Sequence, residues 1–320
     1  MDSYLSQFTK QVKVAVLAGG IGTERQISLQ SGKYVAEALR QAGLAVTVAD
    51  VTPERLEVLE DSSIDVFFLA LHGQFGEDGR IQQILEDKAL IYTGSGPKAC
   101  ALAMDKAASK KLFIEAGIRT PPAVEFDPDI PDSALKNRIE GLGDTYVIKP
   151  SGHGSSVGIS VAHRVDDAVD KARWCRTRFG DCIIEEFITG RELTVGILCG
   201  SPLPIIEIKP EEKFYNYKAK YDDESTKYLF DTIEDKNLVE KIQTRALACF
   251  DCLGLKDFAR IDFILTDDGE PNVLEANTIP GFTTHSCLPK AAAKTGISMT
   301  QLCVNIAEAA LKNKNVKTVS

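Results

Sequence analysis

The stretch "ARIDFILTDDGEPNVLEANTIPGF" carries two carboxylates and an amide, Asp262, Glu275 and Asn277, in branched and aromatic runs flanking a turn signal at Asp268-Gly269. A two-residue turn there sets Asp262 opposite Glu275 and Arg260 opposite Asn277. Ile261, Phe263, Leu265, Leu274 and Ala276 then share the other side, which reads as core. Like charges directly across a hairpin repel unless something lies between them. Oxygen donors of this kind suit Mg²⁺, which keeps several waters and takes further ligands from substrate phosphates. A solvated acidic face accounts for the same pattern, and the hairpin alone leaves both readings open.

Other stretches hold residue types suited to nucleotide or amino-acid chemistry. In "VIKPSGHGSSVGISV", residues 147–161, Gly152, Gly154 and Gly158 free the backbone, Ser151, Ser155 and Ser156 add donors, and Lys149 adds charge. The run lacks G-x-x-x-x-G-K-[ST] and leads into a strand, so it reads as a flap over phosphates; an inert flexible loop is the plainer reading. In "CIIEEFITGRELTVGIL", Glu185, Glu186 and Glu192 bracket a break between two strands. Backbone groups at such a crossover can read an adenine edge and a carboxylate can hold ribose hydroxyls, although charged strand ends are usually solvated. In "GGIGTERQISLQSG", Gly19, Gly20 and Gly22 follow a strand, and Asp50 closes the next one, as a ribose-binding acid would. The dinucleotide pattern G-x-G-x-x-G nevertheless fails at Arg25, and Glu24 in the turn suits an ammonium better than a pyrophosphate. Residues 211–230, "EEKFYNYKAKYDDESTKYLF", mix charge and aromatics without a period, as a substrate lid or a surface loop pinned by tyrosines does.

The elements that must position these groups follow from hydrophobic periodicity. "VKVAVLAGG", "LAVTVADV", "DVFFLALHG" and "LIYTGS" read as strands, alternating with helices over "SLQSGKYVAEALRQAG" and near "GRIQQILEDKA". That alternation predicts a parallel, Rossmann-like α/β unit over about the first third of the chain. "KACALAMDKAASKKLFIEAG" reads as one helix ending at Gly117, and the Pro- and Asp-rich stretch after it as a linker. From "DTYVIKP" onward strands and helices stop alternating, which predicts mixed α+β structure.

Composition bounds the function. With 44% hydrophobic and 26% charged residues the chain is ordinary for a globular protein, and 320 residues allow two or three domains. A net charge of −9 argues against nucleic acid as a partner. No segment is apolar enough for a signal peptide or a bilayer span, so no membrane association is expected. Eight cysteines without a spaced framework read as reduced thiols in a cytosol. Cys249 and Cys252 form a CxxC inside a helical pattern and read as helix cysteines rather than a zinc or redox site.

Taken together, "GGIGTERQISLQSG", "LHGQFGEDGRIQ", "YTGSG", "MDK", "KPSGHGSSVG", "EEFITGRE", "YKAKY", "ARID" and "EANTIPGFTTHS" resemble, in order and nearly end to end, the D-alanine–D-alanine ligases among the ATP-grasp enzymes. The resemblance implies an N-terminal Rossmann-like domain over 1–96 with the first D-alanine subsite. It implies a central ATP-grasp domain over 97–188 with the flap, and a C-terminal one over 189–320 with the lid, the Mg²⁺ site and the second subsite. Two D-alanines would be joined with ATP and Mg²⁺ (two ions, Mn²⁺ as a substitute) through a D-alanyl phosphate, for cell-wall precursor synthesis.

By the same resemblance Asp262, Glu275 and Asn277 are metal ligands, Lys106, Lys149 and Lys220 contact phosphate, and Glu185 and Glu192 meet adenine and ribose; Glu186 and Ser156 join the nucleotide site. Glu24 would hold the first ammonium with His72 nearby, hydrogen-bonded to Ser155 and Tyr221, which join flap and lid. Arg260 and the Gly281 N–H would stabilise an oxyanion, and Ser286 would take the second carboxylate. Ala259 stands where the family commonly has Gly. Cys287 stands where it more often has Leu, beside the second subsite. Lys220-Tyr221 favours D-alanine over D-lactate; a relative using D-lactate or D-serine as second substrate is the alternative. A cytoplasmic homodimer is the expectation.

Overall fold

The computed structural model describes residues 12–154, 157–209 and 226–317. β1 (Lys13–Gly19), α1 (Arg25–Gln41), β2 (Ala45–Val51), β3 (Val66–Leu69) and α2 (Arg80–Asp87) form the expected parallel unit, with strand order β2-β1-β3. β1 is a run of apolar residues buried on both faces, as a central parallel strand requires. "LIYTGS" contributes only an isolated parallel bridge, Tyr92 to Phe67, instead of a full strand.

The expected single helix over residues 98–117 is two: α3 (Pro97–Met104) and α4 (Lys106–Glu115). Asp105 breaks it, adopting extended φ −79 and ψ 102 while its carboxylate accepts the N–H groups of Ala107 and Ala108. An aspartate in this conformation ends one helix and N-caps the next. Lys106 becomes the first residue of α4 as a result.

Two antiparallel sheets follow. The first, in the order β4-β7-β5-β6, is built from β4 (Ala123–Glu125), β5 (Tyr146–Pro150), β6 (Ser160–Ala162) and β7 (Cys182–Glu186). α5 (Asp132–Glu140) and α6 (Val165–Phe179) share its apolar core. The second sheet comprises β8 (Arg191–Leu198), β9 (Ser201–Pro202), β10 (Ile206–Lys209), β11 (Lys227–Leu229), β12 (Phe258–Leu265) and β13 (Pro271–Asn277). Its path is β11-β10-β8-β12-β13, with β9 on β8 and α7 (Lys236–Cys252) packed against it. β11 falls at the end of the stretch read as an aperiodic lid and pairs with β10 instead; residues 211–225 lie outside the described residues. The chain closes with α8 (Cys287–Lys294) and α9 (Met299–Lys317).

Of three apolar cores, two draw residues from distant stretches of the chain, and the third is confined to residues 126–184. Leu288, Leu302 and Ile306 from the C-terminal helices pack into the core of the parallel sheet. Ala103 and Phe113 from α3 and α4 pack against β8 and β12. Cys249 lies in that second core, and all eight cysteines are free. Among the described residues no helix is long and apolar enough to cross a membrane.

Candidate active site

The hairpin of β12 and β13 brings Asp262 opposite Glu275 and Arg260 opposite Asn277, as its sequence predicts, but by a different route. The loop holds three residues, 267–269, and pairs Leu265 with Pro271 and Ile264 with Asn272. That is one residue out of the register set by a two-residue turn. A β-bulge at Leu274 restores it before Glu275. A bulge sets two residues against one, so Leu274 is only half-buried and lines a cavity with Ile264 instead of joining the core.

The Arg260 guanidinium grips the Asp262 carboxylate through two hydrogen bonds of 2.9 and 2.8 Å, and the Thr194 hydroxyl donates to Asp262 Oδ1 at 2.6 Å. Glu275 meets Lys106 Nζ at 3.2 Å. Lys106 also donates to the His153 carbonyl of the glycine-rich loop at 2.7 Å, so the start of α4 ties flap backbone to hairpin. Asn277 Oδ1 accepts the Ile279 N–H at 3.1 Å. Two carboxylates and an amide oxygen fit a hard divalent cation. Among the described residues no group of three or more His, Cys, Asp or Glu side chains is placed to hold a metal ion.

A cavity of about 870 Å³ opens beside the hairpin, between the two antiparallel sheets. Lys106, Lys149, Glu185, Glu186, Glu192, Asp262 and Glu275 all line it. Its floor is the crossover over residues 187–190, where the chain passes from β7 in one sheet to β8 in the other. Glu185 is 1% exposed and ion-pairs with both Lys149 and Lys110, the latter at 2.7 Å. Burial pushes the Glu185 carboxyl up, but the two lysines outweigh it and hold the group below the usual range. Burial also pushes Lys110 down to about 8.

A second cluster lies where the parallel unit meets the segment after β13. Glu24, just before α1, is buried against Gly73, where an added Cβ would lie 2.0 Å from Glu24 Oε2. A Cβ on Gly154 would lie 3.9 Å from both Glu24 oxygens, so the glycine-rich loop reaches this carboxylate. Glu77 accepts the Gly73 N–H at 2.6 Å; burial first, then Glu24, raises its carboxyl to about 8. His72 Nδ1 lies 2.9 Å from the Ile279 carbonyl and Nε2 2.8 Å from Ser31 Oγ, and burial lowers the ring to about 4. Ser286 Oγ accepts the Thr283 N–H at 3.0 Å and sits against Gly281, where a Cβ would come within 2.5 Å of it. Cys287 is buried at the first position of α8.

Every described residue expected at the site therefore belongs to one of two adjoining clusters, bridged by the Arg260–Asp262 pair and by the segment from Asn277 to Ile279. Ser155, Ser156, Lys220 and Tyr221 lie outside the described residues. Asp50, at the end of β2, ion-pairs with Arg25 and Arg55 at 2.6 and 2.8 Å, apart from both clusters. Sequence reading overlooked Lys110, Thr194, Ser31 and Glu77. Lys110 was legible as one helical turn beyond Lys106. Thr194 needed the pairing of β8 with β12, which no local pattern announces.

Residues 112–308 match the family described as D-ala D-ala ligase C-terminus, and residues 54–95 that described as D-ala D-ala ligase N-terminus. A D-alanine--D-alanine ligase of Methylacidiphilum infernorum (isolate V4) is 41% identical over 304 residues, covering 92% of this chain and 94% of that one. A D-alanine--D-alanine ligase structure from Bacillus anthracis, complexed with ATP, superposes with a TM-score of 0.83 at 33% identity, covering 96% of this chain and 99% of that one. The VanG D-Ala:D-Ser ligase from Enterococcus faecalis superposes with a TM-score of 0.80 at 28% identity, covering 94% and 99%.

Proposed function

Because the chain belongs to the D-alanine–D-alanine ligase family, with its ATP-grasp fold, we propose that it joins two D-alanine molecules as ATP becomes ADP and phosphate. The observation that carries this reading is the meeting of two unlike clusters. A cavity lined by Lys106, Lys149, Asp262 and Glu275 suits a polyphosphate, and the buried Glu24 beside it suits an ammonium. The similarity to a solved ligase complexed with ATP supports the nucleotide assignment.

In this reading Lys106 and Lys149 offset charge on the phosphates while Glu185, Glu186, Glu192 and the crossover backbone hold adenine and ribose. Asp262, Glu275 and Asn277 would hold Mg²⁺, which supplies further neutralisation of the phosphate oxygens. Glu24 binds the ammonium of the first D-alanine, and that molecule's carboxylate oxygen bonds to the γ-phosphorus as ADP leaves. The amine of the second D-alanine then forms a C–N bond to the acyl carbon, the C–O bond to phosphate breaks, and the amine nitrogen loses a proton. Arg260 and the Gly281 N–H stabilise the oxyanion formed at that carbon, where one such donor is worth ~10²–10³ in rate. Ser286 and the start of α8 receive the second carboxylate, with Cys287 beside it. A cytoplasmic homodimer supplying peptidoglycan precursor is the setting this reading implies.

Incubation with ATP, Mg²⁺ and D-alanine, with L-alanine in parallel, tests it through phosphate release and product mass. D-alanine-dependent phosphate with D-alanyl-D-alanine is the expected result. Phosphate release without dipeptide, with D-lactate or D-serine accepted instead, overturns the substrate assignment.

A further inference from the structure

The segment after β13 is pinned by side chains of the parallel unit that no step above uses. The Ile279 N–H points to Glu77 Oε1 at 3.4 Å, and the Ile279 carbonyl faces His72 Nδ1 at 2.9 Å. The Phe282 N–H donates to Ser31 Oγ at 3.3 Å, and Ser31 Oγ lies 2.8 Å from His72 Nε2. Ser31, His72, Ile279 and Phe282 are all at most 4% exposed, and Glu77 is 8% exposed. Phe282 is further wedged edge-on between Phe68 and Phe258, with ring centroids 5.5 and 5.6 Å away.

The directions of these bonds are set by donor and acceptor chemistry. Ser31 Oγ accepts from the Phe282 N–H, so its own hydrogen is available to His72 Nε2. Nε2 is then an acceptor, the proton sits on Nδ1, and Nδ1–H donates to the Ile279 carbonyl. The chain from Phe282 through Ser31 and His72 back to Ile279 is thus satisfied by a neutral imidazole in one tautomer. Both ring nitrogens are occupied by protein partners, which leaves His72 to act on the backbone rather than on an amino acid. Glu77 binds the Gly73 N–H with its other oxygen, so the same network reaches the loop against Glu24.

We infer that Ser31, His72 and Glu77 are positioning residues that clamp backbone 279–282 from both ends. The clamp thereby sets the Gly281 N–H relative to the amino-acid carboxylate Glu24. This role rests on the proposed ligase reading, in which Gly281 is an oxyanion donor. The nucleotide cavity is built from other elements, so the clamp acts on turnover and not on ATP affinity. Displacement of a reacting geometry by about 1 Å costs up to about 10²-fold in rate.

The test combines kinetics with backbone hydrogen exchange on the full chain. Ser31→Ala and His72→Ala should each lower kcat about 10- to 100-fold while the KM for ATP stays within about twofold. The double variant should be no worse than the weaker single, because the two act as one unit. His72→Asn, whose amide nitrogen stands where Nδ1 does, should recover part of the loss, and it serves if the alanine variants do not fold. Exchange at residues 279–282 should accelerate in both single variants while the parallel sheet stays protected. Wild-type exchange together with kcat within about twofold overturns the clamp, as do losses that multiply with a parallel rise in ATP KM. If the wild-type chain makes no dipeptide, the ligase reading fails, while the exchange difference still reports on the clamp.

Discussion

Buried polar groups are handled in opposite ways in the nucleotide cavity and at the junction holding Glu24 and residues 279–286. In the cavity, formal charges neutralise one another: Glu185 lies between Lys110 and Lys149, Glu275 meets Lys106, and Asp262 meets Arg260. At the junction, neutral hydrogen bonds dominate, with His72 uncharged and backbone amides supplying most donors. Ion pairs can exchange partners when a polyphosphate arrives, whereas a directed hydrogen-bond chain with one tautomer holds a single geometry. On the proposed reading, the region that takes a charged nucleotide is built from exchangeable charges, and the region that holds a backbone donor is built from fixed hydrogen bonds.

Several substitutions would break or sharpen this contrast. The largest effect is expected at the hairpin, where Glu275→Ala should lower ATP-dependent phosphate release by about 10³-fold or more with an unchanged circular dichroism spectrum. Near-normal turnover in that variant would remove the metal assignment. In the cavity wall, Lys110→Met strips the buried Glu185 of a partner and should reduce unfolding free energy in urea by about 3–5 kcal/mol. The neighbouring Lys111, on an exposed pair with Glu125, should be replaceable by alanine without measurable loss.

The junction is separated from the cavity by its pH dependence. The unfolded chain protonates His72 near pH 6.5, whereas the folded ring takes a proton only at about 4. Stability present above pH 6.5 is therefore lost as pH falls towards 4, by about 3 kcal/mol for this group. His72→Asn should remove that component of the unfolding curve; an unchanged slope would mean the ring titrates normally. The smallest measurable effect belongs to the helix break. Asp105→Ala removes the cap of α4 at about 1 kcal/mol, and it should raise the KM for ATP because Lys106 loses its placement.

Much of the cavity was readable from the chain. Asp262, Glu275 and Asn277 share a hairpin whose two strands are close in sequence, so alternation and a turn signal suffice to put them together. The route was not readable, because a three-residue loop and a bulge at Leu274 each shift the register by one, and the second shift cancels the first. A local pattern reports the net register and hides the compensation, which is why alternation assigns Leu274 to the core although it lines the cavity. The division of residues 98–117 into α3 and α4 was legible in principle from Asp105 as a capping residue, but the apolar period on both sides masked it.

The junction owes far less to local pattern. The residue types in "LHGQFGEDG" and "ANTIPGF" carry no signal that His72 and Glu77 grip Ile279, or that Ser31 from α1 closes the chain at Phe282. Those contacts join positions 202 to 251 residues apart, across the seam where Leu288, Leu302 and Ile306 pack the C-terminal helices into the core of the parallel sheet. Strands, helices, the phosphate-suited loop and the metal-suited hairpin are thus properties of short stretches, set by side-chain period and turn chemistry. The tautomer of His72, the pairing of Glu185 and the placement of Gly281 depend on which surfaces the folded chain buries against each other, and only the tertiary structure decides that.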